Sequence, residues 1–176
     1  MDPKVNHKNP QQTSSTTHSI HEIERKFLVK KIPASLEVLP HQDMVQGYIS
    51  VTDDGTEVRL RRLGNRYYQT VKRGNGLERD EREIELSLEQ FAMLWPLTQK
   101  RRLEKTRYEI AHLHHTIQLD VYRGPLAGLV VAEVEFQSRE SSLAFVRPDW
   151  FAREITEDIS FKNRELACQG LPVGDD

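Results

Sequence analysis

The chain has 176 residues, which is enough for one domain with a sizeable core. Its formal net charge is only −2 although 30% of its residues are charged, so the composition gives no sequence-wide bias towards binding nucleic acid. Its single cysteine, Cys168, excludes a disulfide framework, so we expect a reducing, cytoplasmic environment. The N-terminus lacks the apolar core of a signal peptide, and the longest apolar run, near residues 129–132, is far shorter than the ~20 residues that cross a bilayer, so no membrane partner is expected.

The N-terminal half of the chain is predicted to pass from a polar tail into antiparallel sheet. Residues 1–19 carry a glutamine pair and a Ser/Thr cluster but almost no apolar side chains, which predicts a disordered tail. The first strand is predicted to begin near His21, and residues 36–46 are interpreted as connecting chain. Further strands are predicted at 47–51, 57–63, 66–72 and 80–86, with turns at Asp53-Asp54-Gly55 and Gly64-Asn65 and a loop at Gly74-Asn75-Gly76.

The C-terminal half is predicted to add three strands and the helices. Ser87 to Gln90 has the form of a capping box, which predicts a short helix that Pro96 ends. Strands are predicted at 103–110, 116–122 and 130–136, a helical stretch at 142–146, and a final helix at 160–167 followed by Gly170. The expected fold is therefore an α+β domain over residues 20–170, dominated by roughly eight antiparallel strands and followed by a tail at 171–176.

Several of these strands carry charges of one sign on alternate residues, which share a face. Such pairs are Glu22/Glu24, Arg59/Arg61, Lys105/Arg107 and Glu133/Glu135. For any one strand, contact with water is the simpler explanation. Like charges in a row repel, however, and need partners of opposite sign. Closing the sheet into a barrel would place acidic and basic rows face to face across a lumen, with the apolar faces outward under the helices.

The two charged sets suit two different ligands. The carboxylates offer hard oxygen ligands for Mg²⁺ or Mn²⁺, and the cations offer donors for phosphate oxygens. The acidic set is Glu22, Glu24, Asp120, Glu133 and Glu135, and the basic set is Lys26, Arg59, Arg61, Lys72, Lys105 and Arg107. A polyphosphate with bound metal would satisfy both sets. From the pattern alone, a solvated face and a metal-phosphate site both remain open.

Several motifs, in this order, resemble those of the CYTH, or triphosphate tunnel metalloenzyme, superfamily. They are Glu22-x-Glu24-x-Lys26, Gln46 to Ile49, Glu57 to Arg61, Thr70 to Lys72, Arg101 to Tyr108, Leu119 to Tyr122 and Ala132 to Phe136. The likeness extends over about residues 20–170 and is strongest to the short bacterial inorganic triphosphatases. It implies an eight-stranded antiparallel β-barrel, with helices packed outside, whose tunnel binds a triphosphate compound and a divalent metal ion.

The resemblance also implies a role for each charged residue. The six cations would hold phosphate, and the five carboxylates would bind Mg²⁺ or Mn²⁺, with Glu83 and Glu85 as further candidates on the wall. The residues expected to be catalytic are Lys26, Glu24, Arg59 and Lys105. Short members of the superfamily often carry a basic residue and a tyrosine just before Lys162-Asn163, where this chain has Ile159, Ser160 and Phe161. A gating role is therefore not assigned to the C-terminal helix, although Lys162 remains a further phosphate-binding candidate.

The expected activity is metal-dependent hydrolysis of the terminal phosphoanhydride of inorganic triphosphate, by a monomer or homodimer whose partner is that small molecule rather than nucleic acid. The alternatives are a class IV-type adenylate cyclase, a thiamine triphosphatase, and a non-catalytic polyphosphate- or nucleotide-binding module. No sequence feature marks an adenine pocket. A binding module would need the cations more than it needs five carboxylates of the kind that bind metal.

Overall fold

The computed structural model of the chain describes residues 23–34, 36–73 and 80–172, without the side chain of Glu37. The tail predicted at 1–19, the strand start at His21, the candidate ligand Glu22, the loop at 74–76 and residues 173–176 of the C-terminal tail lie outside the described residues. None of the described helices is long and apolar enough to span a membrane.

Nine strands of the described residues form one antiparallel sheet. They are β1 (Ile23–Val29), β2 (His41–Val51), β3 (Glu57–Leu63), β4 (Arg66–Arg73), β5 (Asp80–Leu86), β6 (Arg102–His112), β7 (His115–Tyr122), β8 (Val130–Phe136) and β9 (Phe151–Glu154). Their order across the sheet is β5-β4-β3-β2-β6-β7-β8-β1-β9. The predicted α+β class with an antiparallel sheet is confirmed.

The predicted closure into an eight-stranded barrel is wrong for the described strands. The sheet has two edges, β5 and β9, which do not pair with each other. β1 cannot pair with β5 to close a barrel, because it already pairs with β8 on one side and with β9 on the other. β9 was missed because four residues are too few to show the alternation that identifies a strand.

The helices pack on the sheet near the predicted positions. α1 (Leu88–Leu94) begins with the predicted capping box, in which the Ser87 hydroxyl accepts from Gln90 N at 3.2 Å and the Gln90 side chain accepts from Ser87 N at 2.8 Å. α2 (Arg139–Ala144) begins earlier than predicted because Ser138 caps it, and α3 (Asn163–Gln169) ends at Gly170, whose φ is 85°. Short 3-10 turns lie at Leu36–Val38, Trp95–Thr98, Gly124–Leu126 and Ile159–Phe161.

The two faces of the sheet differ as the alternation predicted. On one face, buried apolar side chains such as Phe27, Leu119 and Val134 pack beside α2 and β9, and Leu60 packs against α1. The other face carries the charged rows. At one end of that charged face, apolar side chains of the strands pack against Leu166 and Ala167 of α3. The C-terminal helix therefore covers one end of the charged face.

Candidate functional site

The charged face carries two clusters of paired side chains. The first, which we call the Lys26 cluster, consists of Glu24 and Lys26 on β1, Glu133 on β8, Asp120 on β7, and Lys105 and Arg107 on β6. The second, the Arg59 cluster, consists of Arg59 and Arg61 on β3, Thr70 and Lys72 on β4, and Glu81 and Glu83 on β5. Strand register places them on one face because Lys26 lies opposite Glu133, Arg107 opposite Asp120, and Arg59 opposite Thr70.

Lys26 lies between two carboxylates. Its Nζ atom is 3.2 Å from Glu24 Oε1 and 3.2 Å from Glu133 Oε1. Burial alone would lower the pKa of Lys26, but the charges of Glu133 and Glu24 outweigh it and raise the pKa above its usual value. Burial would likewise raise the pKa of Glu133, yet Lys26, Lys105 and Arg107 hold it well below its usual range. Both side chains are therefore charged at neutral pH.

Asp120 lies at the centre of the same cluster and binds two cations. Arg107 Nε donates to Asp120 Oδ1 and Arg107 Nη2 to Oδ2, each at 2.6 Å, and the Lys105 ammonium also contacts Oδ2. The exposed fractions of the Lys105 and Asp120 side chains are 1% and 0%. Burial lowers the pKa of Lys105, and the charge of Asp120 acts against this effect. Arg107 Nη2 also donates to Glu133 Oε2 at 2.7 Å, which joins this group to Lys26.

The Arg59 cluster contains cations with spare donors. Arg61 Nη2 donates to Glu83 Oε2 at 2.9 Å, and Lys72 Nζ lies 2.7 Å from Glu81 Oε2. Burial, followed by repulsion from Arg59, lowers the pKa of Arg61. Among the residues that the structure describes, the buried Nε atoms of Arg59 and Arg61 have no hydrogen-bond partner. Two N–H groups on one strand are thus left available to an acceptor that the described protein atoms do not supply.

The curvature of the sheet brings the two clusters towards each other. Burial raises the pKa of the Tyr48 hydroxyl, and the charges of Arg59 on β3 and Lys26 on β1 act to lower it. The charge of Arg107 on β6 likewise lowers the pKa of Arg61 on β3. Lys26 of β1 is four strands away from Tyr48 of β2 in the sheet order, so only a concave face places these two side chains within electrostatic reach of each other. The arrangement is a concave surface with cations of both clusters around it.

Comparison with known proteins identifies the family. The model of the CYTH domain matches residues 21–164, which include every described residue of both clusters. The chain is a member of the CYTH family. It is 45% identical over 148 residues to an inorganic triphosphatase of Nitrosomonas europaea, covering 83% of this chain and 96% of that protein, and 35% identical over 147 residues to one of Acetivibrio thermocellus, covering 82% and 92%. A crystal structure of an inorganic triphosphatase has a TM-score of 0.71 at 41% identity, covering 88% of this chain and 99% of that one.

Most of the predicted site residues of this CYTH domain lie in the two clusters. Glu135 is exposed and lies opposite Glu24 in the register of β1 and β8. Glu85 lies in neither cluster, because it pairs with the exposed Arg66. Lys162 precedes the first turn of α3, and its predicted role in phosphate binding stays a prediction. The other predicted residues that the structure describes all belong to the Lys26 cluster or the Arg59 cluster. They are Glu24, Lys26, Arg59, Arg61, Lys72, Glu83, Lys105, Arg107, Asp120 and Glu133.

Several polar residues of the charged face, among them Gln46, Tyr48 and Thr70, received no role from the sequence of the CYTH domain. Gln46 and Tyr48 are buried on β2, where Gln46 Nε2 donates to Tyr48 Oη at 3.0 Å. Thr70 is fully buried and connects Arg59 with Glu83 through its hydroxyl. The alternation that places Thr70 with Lys72 was visible in the sequence. What the sequence lacked was the identity of the neighbouring strands.

The described carboxylates of the CYTH domain have the chemistry of ligands for a hard divalent cation, but they do not surround a common point. Among the described residues, no group of three or more His, Cys, Asp or Glu side chains is placed to hold a metal ion. Of the described members of the predicted acidic set, Glu24 and Glu135 are exposed, and Glu133 lies beside them on β8. Oxygen ligands of this kind suit Mg²⁺ or Mn²⁺, with sites left for substrate oxygens and water.

Proposed function

We propose that this CYTH protein is an inorganic triphosphatase, which hydrolyses the terminal phosphoanhydride of inorganic triphosphate with the help of Mg²⁺ or Mn²⁺. The observation that carries the proposal is the pair of buried Nε atoms of Arg59 and Arg61, which have no hydrogen-bond partner among the described residues and lie on a concave face with four further cations. An unpaired donor in a buried position is costly unless a ligand satisfies it. Two relatives at 45% and 35% identity that are inorganic triphosphatases support the choice of substrate.

The cations of the two clusters would bind and orient the phosphates. Guanidinium groups hold phosphate oxygens in a planar, bidentate manner, which suits Arg59, Arg61 and Arg107. Lys26 keeps its proton because its pKa is raised by its carboxylate neighbours. In a partly buried site, such fixed charges stabilise the negative charge that spreads over the transferred phosphoryl group and the leaving phosphate.

Glu24, Glu133 and Glu135 would hold the divalent ion on β1 and β8, and Glu22 is a further predicted ligand outside the described residues. When bound, the ion neutralises phosphate charge and favours the attack of water on phosphorus. Lys26 lies between two of the carboxylates, so it joins the metal-binding and phosphate-binding parts of the site. A cytoplasmic location and a monomer or homodimer belong to the same proposal.

One structural observation bears on the cyclase alternative. A cavity of about 340 Å³ lies beside α1, where Tyr67, Phe91 and Trp95 contribute aromatic surface. Tyr67 and Phe91 belong to the apolar side of the sheet, opposite the two clusters. An adenine bound in that cavity would be separated by the sheet from phosphates held by Arg59 or Lys26. The cavity therefore does not support cyclisation of ATP.

The test is a substrate panel. Phosphate release is measured from inorganic triphosphate, ATP, thiamine triphosphate and pyrophosphate, each with Mg²⁺ and with Mn²⁺. We expect a strong preference for inorganic triphosphate, loss of turnover in Lys26→Ala, and near wild-type turnover in the matched control Lys30→Ala, since Lys30 is exposed at the end of β1. Cyclic AMP and pyrophosphate from ATP, or tight triphosphate binding without phosphate release, would overturn the proposal.

A further inference from the structure

Asp120 differs from the other predicted metal ligands in its surroundings. It lies in the middle of β7, between β6 and β8, and its side chain has no exposed surface. Its neighbours in register are Arg107 on β6 and Val131 on β8. The side chain of Asp120 therefore lies in the interior of the Lys26 cluster, where solvent does not reach it.

The two carboxylate oxygens of Asp120 are already occupied by cations. Oδ1 accepts from Arg107 Nε at 2.6 Å, and Oδ2 accepts from Arg107 Nη2 at 2.6 Å and from the Lys105 ammonium. A divalent ion at Asp120 would have to enter a buried space beside a guanidinium and an ammonium. Both the repulsion among like charges and the cost of removing the ion from water oppose this.

Two carboxylates of β1 and β8 differ from Asp120 in being exposed to solvent. The Glu24 side chain is 41% exposed, Glu135 is exposed, and the two lie opposite each other in register. They project next to Glu133, whose oxygens contact Lys26 and Arg107. A hydrated cation can reach the oxygens of Glu24 and Glu135 from solvent, whereas Glu133 stays paired with Lys26 and Arg107.

We infer that Asp120 is a positioning residue, which fixes Lys105 and Arg107 for phosphate binding, and that the divalent cation is held on β1 and β8 without it. The bidentate contact sets the plane of the Arg107 guanidinium, and the shared Oδ2 atom places the Lys105 ammonium beside it. Without the carboxylate, the buried Lys105 and the half-buried Arg107 would repel each other and move away from this geometry. The inference rests on the proposed function, because it concerns how the triphosphate is held.

The experiment compares Asp120→Asn, which keeps the shape of the side chain, with Glu24→Gln as the reference for a metal ligand. Mn²⁺ binding is measured by electron paramagnetic resonance in the presence of imidotriphosphate, a triphosphate analogue that is not hydrolysed. We expect Glu24→Gln to weaken Mn²⁺ binding about tenfold or more, and Asp120→Asn to change it by less than about twofold. In kinetic assays, Asp120→Asn should raise the KM for triphosphate about 10- to 100-fold, while the Mg²⁺ concentration for half-maximal activity stays near the wild-type value.

A second variant separates positioning from loss of fold. Lys105→Met removes the ammonium that Asp120 holds, so the effects of Asp120→Asn and Lys105→Met on the KM for triphosphate should be non-additive in the double variant. A loss of Mn²⁺ binding in Asp120→Asn as large as in Glu24→Gln would overturn the inference, as would full additivity in the double variant. The Mn²⁺ measurement needs no turnover, so it tests this inference separately from the proposed function. The proposed function would instead fail if the wild type released no phosphate from triphosphate.

Discussion

The hydroxyl of Thr70 donates a 2.6 Å hydrogen bond to Glu83 Oε2 and accepts one from Arg59 Nη2 at 3.1 Å. Thr70 is fully buried, so its hydroxyl makes both contacts from the interior, although Glu83 itself remains partly exposed. One neutral side chain thus fixes a cation and a carboxylate on the two neighbouring strands. Because a buried hydrogen bond to a charged group contributes more than a neutral one, this hydroxyl holds Arg59 in a defined direction.

Replacing Thr70 with valine should therefore weaken triphosphate binding with little change of shape. The substitution removes one acceptor from Arg59 and one donor from Glu83, and losses of this kind reduce kcat/KM about tenfold. The measurement is steady-state kinetics with inorganic triphosphate, and the matched control is Thr116→Val at an exposed position of β7. Equal kinetics in the two variants would contradict the role of the hydroxyl.

The Nε atom of Arg59, which has no hydrogen-bond partner in the part of the chain that the structure describes, predicts that lysine cannot replace this arginine. Arg59→Lys keeps the positive charge but removes the planar donor pair, so we expect the KM for triphosphate to rise about tenfold or more. Arg66→Lys is the control, because Arg66 lies on the adjacent strand and pairs with Glu85 at the exposed rim. If Arg59→Lys binds triphosphate as well as the wild type, charge alone is sufficient at this position.

The depressed pKa of Glu133 predicts a loss of stability in acid. A carboxyl group whose pKa is lower in the folded than in the unfolded protein contributes stability above its unfolded pKa, and this contribution is lost as the pH falls towards the folded pKa. For Glu133 the loss should begin as the pH drops below its usual value of 4.5. Denaturant unfolding at pH 7, 4.5 and 3 should show a smaller acid-induced decrease in Glu133→Gln than in the wild type. Glu109→Gln, at an exposed carboxylate, should follow the wild type.

Gly47 lies so close to Thr98 that the fold should require glycine at position 47, outside the site. A Cβ atom at position 47 would lie 2.6 Å from Thr98 Cβ, while the Thr98 hydroxyl is fixed by Trp95 O and Arg102 Nε. Gly47→Ala should lower the free energy of unfolding by about 1–3 kcal/mol, as overpacking in a filled site does. Thr98→Gly should recover part of the loss in the double variant, measured by denaturant unfolding. A loss unchanged by the second substitution would contradict the contact.

The alternation of side chains was sufficient to predict the composition of the charged face. The bounds of β3, β5 and β8 agree with those predicted, and each strand places its charges on the expected side. This succeeds because a half-buried strand must separate apolar from charged residues with a period of two. The family resemblance, and with it the identity of the six cations, followed from the same strands.

What the sequence lacked was information about which strands are neighbours. The first six residues of β2 were interpreted as connecting chain because their sequence shows little alternation, and pairing with β3 and β6 stabilises them instead. Neither the two contacts of Arg107 with Asp120 nor the Thr70 connection is visible along a single strand. These depend on register between strands that are distant in sequence.

The position of β5 at one edge of the described sheet also has a consequence for solubility. A strand at the edge of a sheet exposes unpaired backbone groups that invite pairing with another molecule. In β5 the residues from Asp80 to Glu85 include four acids, and all six are exposed. The β5 edges of two molecules would repel each other strongly at neutral pH. The carboxylates that contact Arg59, Arg61 and Lys72 therefore also reduce edge-to-edge aggregation of the sheet.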